Sequence, residues 1–121
     1  MKKIRILGIV LLLAGGFAYG CQHEADLTVE ANVSFTEIQG ILSANCTMSG
    51  CHGGNDPEEF SLESYEEVME YGGIVPGSAW KSELYRVVAN RTEPLMPPQG
   101  PLADEDLRKI YLWIEQGAEN N

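Results

Sequence analysis

The sequence Cys46-Thr47-Met48-Ser49-Gly50-Cys51-His52 holds two of the three cysteines of this 121-residue chain, with a histidine directly after the second. In c-type attachment motifs, usually C-x-x-C-H, two such thiols bond haem vinyl groups and the histidine binds the iron. Four residues separate the cysteines here, and on a helix residues five apart point about 140° apart. The intervening segment must therefore bulge for both thiols to reach one porphyrin edge, and Gly50 favours such a bulge.

Two other interpretations of this motif remain open on these residues. A Cys46–Cys51 disulfide suits an oxidising compartment but gives no role to His52. A zinc site using Cys46, Cys51 and His52 needs a fourth ligand, for which the sequence offers only His23 or carboxylates. Haem attachment is the favoured interpretation because the disulfide leaves the histidine unused and the zinc site lacks an evident fourth ligand.

A second informative segment, residues 94–101, contains four of the six prolines of the chain. Proline is incompatible with a helix interior or a central strand, so the segment is predicted to be a stiff loop. Met96 lies in its middle, where a rigid loop can hold a thioether against an iron whose other face is bound by His52. Most methionines fill core gaps. Met69 is expected to do so and Met48 lies in the bulge, which makes Met96 the candidate second axial ligand.

The first twenty residues predict export. Three basic side chains precede an apolar run at residues 6–18, which is too short to span a bilayer comfortably. Small residues just before Cys21 are typical of bacterial lipoprotein signals, although Tyr19 is bulky; an ordinary cleaved signal or an uncleaved anchor is the alternative. We expect a signal peptide at 1–20 and a lipid on Cys21, which would anchor the protein to a bacterial membrane on the periplasmic side or at the cell surface.

Charge and composition indicate one acidic globular domain after this signal. Removing residues 1–20 leaves five basic residues against eighteen acidic ones, a formal charge of −13, which excludes nucleic acid as a partner. Residues 21–32 show no apolar period and are predicted to be a flexible acidic tether, with His23 solvated. The domain, residues 33–121, is small enough that an internal prosthetic group would contribute much to its core.

Apolar periodicity predicts four helices and no strand, hence an all-α domain. The first begins with a capping box formed by Ser34 and Glu37. The third has Ser78 as its N-cap and Trp80 on its apolar stripe. The last opens with three acidic residues, which the helix dipole favours. The predicted spans are about 34–46, 62–71, 79–89 and 104–117.

From about residue 34 to 118 the chain resembles a small monohaem cytochrome c domain of class I, particularly the planctomycete-type domains of exported bacterial proteins. The resemblance rests on CTMSGCHGG at 46–54, on 61–65, 75–77 and 82–85, on Met96-Pro97-Pro98, and on 102–118. It implies a cytochrome c-like fold around one covalent haem c, with Cys46 and Cys51 bonded to the haem, His52 as proximal ligand and Met96 as distal ligand. It also implies that the first and last helices cross, with Gly40 admitting a side chain of the last helix.

The function that the resemblance implies is electron transfer. Both axial positions would be filled, so catalysis is not expected, and His/Met ligation favours a higher reduction potential than His/His. Redox proteins are the expected partners. An acidic helix side could steer a partner with a basic docking surface, or be an ordinary solvated face. Its members are Glu63, Glu66, Glu67 and Glu70.

Two functional alternatives remain open, and the sequence indicates no oligomeric state. The first is a haem sensor or peroxidase-like protein with a displaceable Met96. The second is a haem-free lipoprotein with a Cys46–Cys51 disulfide.

Overall fold

The computed structural model describes residues 32–54, 57 and 59–121. These residues form four α-helices and one 3-10 helix, and they contain no strand beyond a single bridge between Ser49 and Gly53. The all-α prediction is confirmed. Within the same residues, no helix has both the length and the apolar content needed to cross a membrane. The helices are α1 (Phe35–Asn45), α2 (Tyr65–Tyr71), the 3-10 helix (Ala79–Lys81), α3 (Glu83–Val88) and α4 (Asp104–Glu115).

The predicted signal peptide, the predicted lipidation site at Cys21 and almost all of the predicted tether lie outside the described residues. His23 lies outside them as well. Only Asn32 of the tether belongs to the described part of the chain, where it is exposed coil.

Capping boxes set the starts of α1 and α2. Ser34 accepts a hydrogen bond from the Glu37 amide and its own amide donates to the Glu37 carboxylate, as predicted. Ser64 and Glu67 form the same pair at α2. Because Ser64 caps the helix, α2 begins three residues later than predicted, and Leu62 is buried in the segment before it.

The predicted third helix is interrupted at Ser82. This residue is extended, with ψ 128°, and it separates the 3-10 helix from α3. Its fully buried hydroxyl accepts from the Val75 amide at 2.8 Å and donates to the Ser78 carbonyl at 3.0 Å. Ser78 stands at the predicted N-cap position, which here begins the 3-10 helix, but its side chain makes no capping hydrogen bond. Trp80 is 52% exposed, although the sequence placed it on the apolar stripe of the third helix.

The core lies where α1 packs against α4. The Phe35 ring lies 5.8 Å from that of Trp113 and meets Tyr65 edge-on at 5.2 Å. Two amides at the start of α1 donate to side chains near the C-terminus: Val33 to Gln116, and Phe35 to Asn121, both at 3.0 Å. The largest fully buried apolar side chains are Trp113, Ile38, Leu42, Ile110, Ile114, Val68 and Val88.

Gly40 does not have the role that the cytochrome resemblance implied. It is exposed on α1, and a Cβ added there would have no heavy atom within 4 Å. The first and last helices pack together through the side of α1 that carries Phe35, Ile38 and Leu42, so no close backbone approach occurs at the glycine.

Candidate haem site

All four residues predicted to hold a haem line one cavity. Cys46, Cys51 and His52 approach it from the end of α1, and Met96 approaches from the proline-rich loop. Met48 and Met69, the two other described methionines, are not among its lining residues. Most of the remaining lining is apolar and comes from Phe60, Leu62, Leu84, Val87, Val88, Pro94, Pro97 and Pro98.

A turn after α1 brings the two cysteines to the cavity. Cys46 is the C-cap of α1, and the His52 amide donates to its carbonyl at 3.0 Å. Between them, the Cys51 amide donates to the Met48 carbonyl at 2.9 Å, and Gly50 adopts φ +81°. The predicted bulge is therefore present, and it turns outward, since residues 48–50 are exposed.

Gly53 explains how the chain leaves this turn. A Cβ at this buried position would collide with the Thr47 main-chain carbonyl, so only glycine fits. The main chain after the histidine thus packs directly against the main chain after the first cysteine.

The His52 ring is held through one nitrogen. Nδ1 lies 3.2 Å from the Phe60 carbonyl, and the Leu62 amide donates to the His52 carbonyl at 2.9 Å. A neutral imidazole that donates from Nδ1 to a carbonyl keeps its lone pair on Nε2, and this is the usual arrangement of a metal-binding histidine. The ring is therefore oriented for ligation through Nε2.

The two thiols differ in their surroundings. Cys46 is buried, and burial, followed by the nearby Cys51, raises the pKa of its thiol to about 11. Cys51 is half-buried, and the two sulfurs are not joined in a disulfide. Among the described residues, no group of three or more histidines, cysteines and carboxylates is placed to hold a metal ion, so they provide no ligand set for zinc.

The segment around Met96 has no regular secondary structure, as its prolines predicted. The Met96 amide donates to the Val87 carbonyl at 3.2 Å, which fixes the loop against α3. The Arg86 guanidinium donates to the Thr92 hydroxyl at 2.7 Å and ties down the start of the loop. Met96 itself is half-buried and packs against the core. The loop thus holds a thioether at the cavity from the side of α3.

The polar part of the cavity lining carries negative charge. It consists of the amides Asn45 and Gln99, the carboxylates Glu59 and Glu83 and the phenol Tyr71, besides the histidine and the cysteines. No lysine or arginine lines the cavity in the described part of the chain. Negative charge close to the site favours the more positive state of a bound group.

Sequence reasoning missed two aromatic residues of the site, Phe60 and Tyr71. Phe60 lies in an acidic segment without periodicity, and Tyr71 was recognised only as a helix end. A third omission is the role of Glu67. Its carboxylate accepts from the Ser61 hydroxyl at 3.1 Å and from the Glu63 and Ser64 amides at 3.1 and 2.9 Å, and thereby holds the segment after Phe60 on α2. The Glu67 capping box was detectable, because Ser64 and Glu67 have the required spacing.

The chemistry of the cavity fits a haem c. Apolar side chains suit a porphyrin, two thiols suit thioether bonds, and an imidazole and a thioether suit the two axial positions. No other described residue with a soft or imidazole donor lines the cavity.

Comparison with known proteins supports the same class. The family model for planctomycete cytochrome C matches residues 49–100, a range that includes Cys51, His52 and Met96 and begins three residues after Cys46. Searches of curated proteins and of solved structures return no significant match. Cytochrome c domains bind haem and take part in electron transfer, which is the role this match indicates. Together with the all-α fold, the match to residues 49–100 supports a cytochrome c-like domain of the planctomycete type.

Proposed function

We propose that this protein is a membrane-tethered monohaem c-type cytochrome that carries electrons and has His/Met-ligated iron. The observation that carries the proposal is the convergence of Cys46, Cys51, His52 and Met96 on one largely apolar cavity. When bound, haem supplies one-electron exchange between ferrous and ferric iron.

Each of the four side chains has a distinct role in this proposal. Cys46 and Cys51 anchor the group through thioether bonds. His52 binds from the motif side, with its Nδ1 held by the Phe60 carbonyl. Met96 binds from the loop fixed on α3, and because the loop is restrained, little entropy is lost in holding a weak sulfur ligand.

Covalent attachment is tested on the full chain exported from a host that carries cytochrome c maturation proteins. Pigment that stays with the denatured protein, and sharp visible bands on reduction, are expected. Cys46→Ala and Cys51→Ala should each leave one thioether, and the double variant should lose the pigment on denaturation. A colourless folded protein would instead favour the haem-free lipoprotein.

The distal ligand is tested by comparing two methionines. Met96→Ala should abolish the long-wavelength sulfur–iron absorption of the oxidised protein, whereas Met69→Ala, which removes a methionine packed beside the core, should retain it. The reverse pattern would contradict the assignment of Met96.

We propose an electron carrier and not an enzyme, because Met96 would fill the position that a substrate needs. Slow or absent carbon monoxide binding by the reduced protein at neutral pH is the expected result. Rapid binding would favour the sensor or peroxidase-like alternative, in which Met96 leaves the iron.

The proposed location is a bacterial membrane, on the periplasmic side or at the cell surface, with lipid on Cys21. Two or more acyl chains would hold the protein there stably. Cys21→Ser should move the pigmented protein from the membrane fraction to the soluble fraction. Retention in the membrane would indicate an uncleaved anchor.

For partners, we propose redox proteins with a basic docking surface that meets the acidic residues of α2. Glu66 and Glu70 are exposed on α2. Glu63, which lies before α2 begins, accepts from the Gly54 amide, and Glu67 accepts from three donors. Glu66→Gln with Glu70→Gln should slow electron exchange at low salt and reduce its salt dependence. Unchanged exchange rates would contradict steering by this face.

A further inference from the structure

Phe60 contacts the His52 imidazole twice, once through its main chain and once through its ring. Its carbonyl lies 3.2 Å from Nδ1, and its phenyl ring stacks on the imidazole with centroids 4.5 Å apart and planes 19° from parallel. The Leu62 amide donates to the His52 carbonyl, so a second main-chain contact ties the segment that carries Phe60 to the histidine.

Tyr71 extends this contact to the surface. Its ring stacks on Phe60 with centroids 5.5 Å apart and planes 18° from parallel. Phe60 therefore has two near-parallel aromatic neighbours, the imidazole of His52 and the phenol ring of Tyr71. Tyr71 is the last residue of α2 and is 47% exposed, which places the outer end of the stack on a helix.

This stack restrains rotation of the His52 imidazole ring, which the side-chain torsion of histidine does not fix by itself. The terminal torsion of histidine is broad, so its intrinsic preference does not fix the plane of the ring. Rotation of the imidazole about its ligating nitrogen would drive a ring edge into the face of Phe60 and break the bond at Nδ1. Phe60, which is itself packed against Tyr71, therefore holds one imidazole plane.

We propose that Phe60 is a positioning residue that fixes the plane of the proximal imidazole, and that Tyr71 supports Phe60 through their stacked contact. The inference rests on the proposed function, because it requires His52 to be the axial ligand. Outer partners of a metal-bound histidine set its orientation and basicity, and here one residue supplies both a carbonyl and an aromatic face.

The test uses the oxidised, matured full chain and the proton NMR shifts of its four haem methyl groups. Their order and spread depend on the orientation of both axial ligands, so with Met96 unaltered a change reports a rotated imidazole plane. Phe60→Leu removes the ring and keeps the carbonyl, so the order should change or the spread should narrow. Tyr71→Leu should have a smaller effect in the same direction, and Tyr71→Phe, which keeps the stack, should retain the wild-type pattern. Trp80→Leu is the control, because Trp80 is equally exposed and packs in a separate cluster with Tyr85 and Tyr111.

The possible outcomes distinguish failure of the proposed function from failure of the proposed role of Phe60. A wild-type spectrum without low-spin, histidine-ligated iron would overturn the proposed function. A wild-type spectrum that has it, with the order and spread unchanged in Phe60→Leu, would overturn the role of Phe60 alone. Should Phe60→Leu not fold, the comparison of Tyr71→Leu with Tyr71→Phe decides, since equal spectra from these two variants would contradict the stack.

Discussion

Replacing Gly40 by alanine should stabilise the protein. Gly40 lies within α1, and a Cβ there would meet no heavy atom within 4 Å. Glycine in a helix interior costs roughly 0.5–1 kcal/mol relative to alanine because of its backbone entropy. With no steric penalty to offset, Gly40→Ala should raise the free energy of unfolding by that amount. For a domain of this size, the melting temperature should rise by about 2–8 °C.

The measurement is thermal and urea unfolding of the mature oxidised protein, with haem content matched between variants. Gly53→Ala is the opposing control, because its Cβ would collide with the Thr47 carbonyl and stability should fall. A loss of about 1 kcal/mol or more in Gly40→Ala would refute the reasoning. That result would mean that α4 approaches α1 at Gly40, as the family resemblance had implied.

Three further predictions concern buried bonds, acid stability and the reduction potential. Ser82→Ala leaves the Val75 amide without its acceptor and should cost about 1–3 kcal/mol in urea unfolding. Main-chain hydrogen bonds lower the pKa of the Glu37 and Glu67 carboxyl groups. The stability that these two carboxylates contribute is therefore present above the usual carboxyl pKa of 4.5, and it is lost as pH falls through the lowered pKa values. Glu37→Gln and Glu67→Gln should therefore weaken the protein at neutral pH and flatten its acid unfolding profile. Glu83→Gln removes a negative charge at the cavity and should raise the reduction potential in voltammetry by about 20–40 mV.

Each of these predictions has a control and an outcome that contradicts it. A change below about 0.5 kcal/mol in Ser82→Ala would show that the buried hydroxyl is dispensable. Glu66→Gln, at an exposed position on α2, should leave the acid unfolding profile unaltered. An equal change in Glu66→Gln and Glu67→Gln would contradict a specific role of Glu67 in acid stability. Glu105→Gln, which lies on α4 away from the cavity lining, should leave the potential almost unchanged, and an equal shift would point to overall charge.

The elements that were predictable depend on local signals. The capping box of Ser34 and Glu37, with apolar residues at helical spacing after it, is contained within α1, and the acidic first turn and apolar stripe of α4 are likewise local. The break at Ser82 was not predictable, because it depends on a hydroxyl that meets Val75, seven residues earlier in the chain.

The residues of the haem site likewise fall into those with a local sequence signal and those without one. Cys46, Cys51 and His52 form a contiguous motif, and Met96 is distinguished by the prolines around it, so sequence alone could propose all four. Phe60 carries no such signal. Its position beside His52 depends on main-chain bonds between segments ten residues apart, which periodicity does not report.

The outward turn between the cysteines has a consequence for how this motif tolerates changes in length. Residues 48–50 are exposed, while Gly53 on the inner side has no room for even one added carbon. Added residues in the turn extend into solvent and leave the main-chain bond between His52 and Cys46 in place. We therefore expect this chain to tolerate added residues between its cysteines, whereas position 53 must remain glycine.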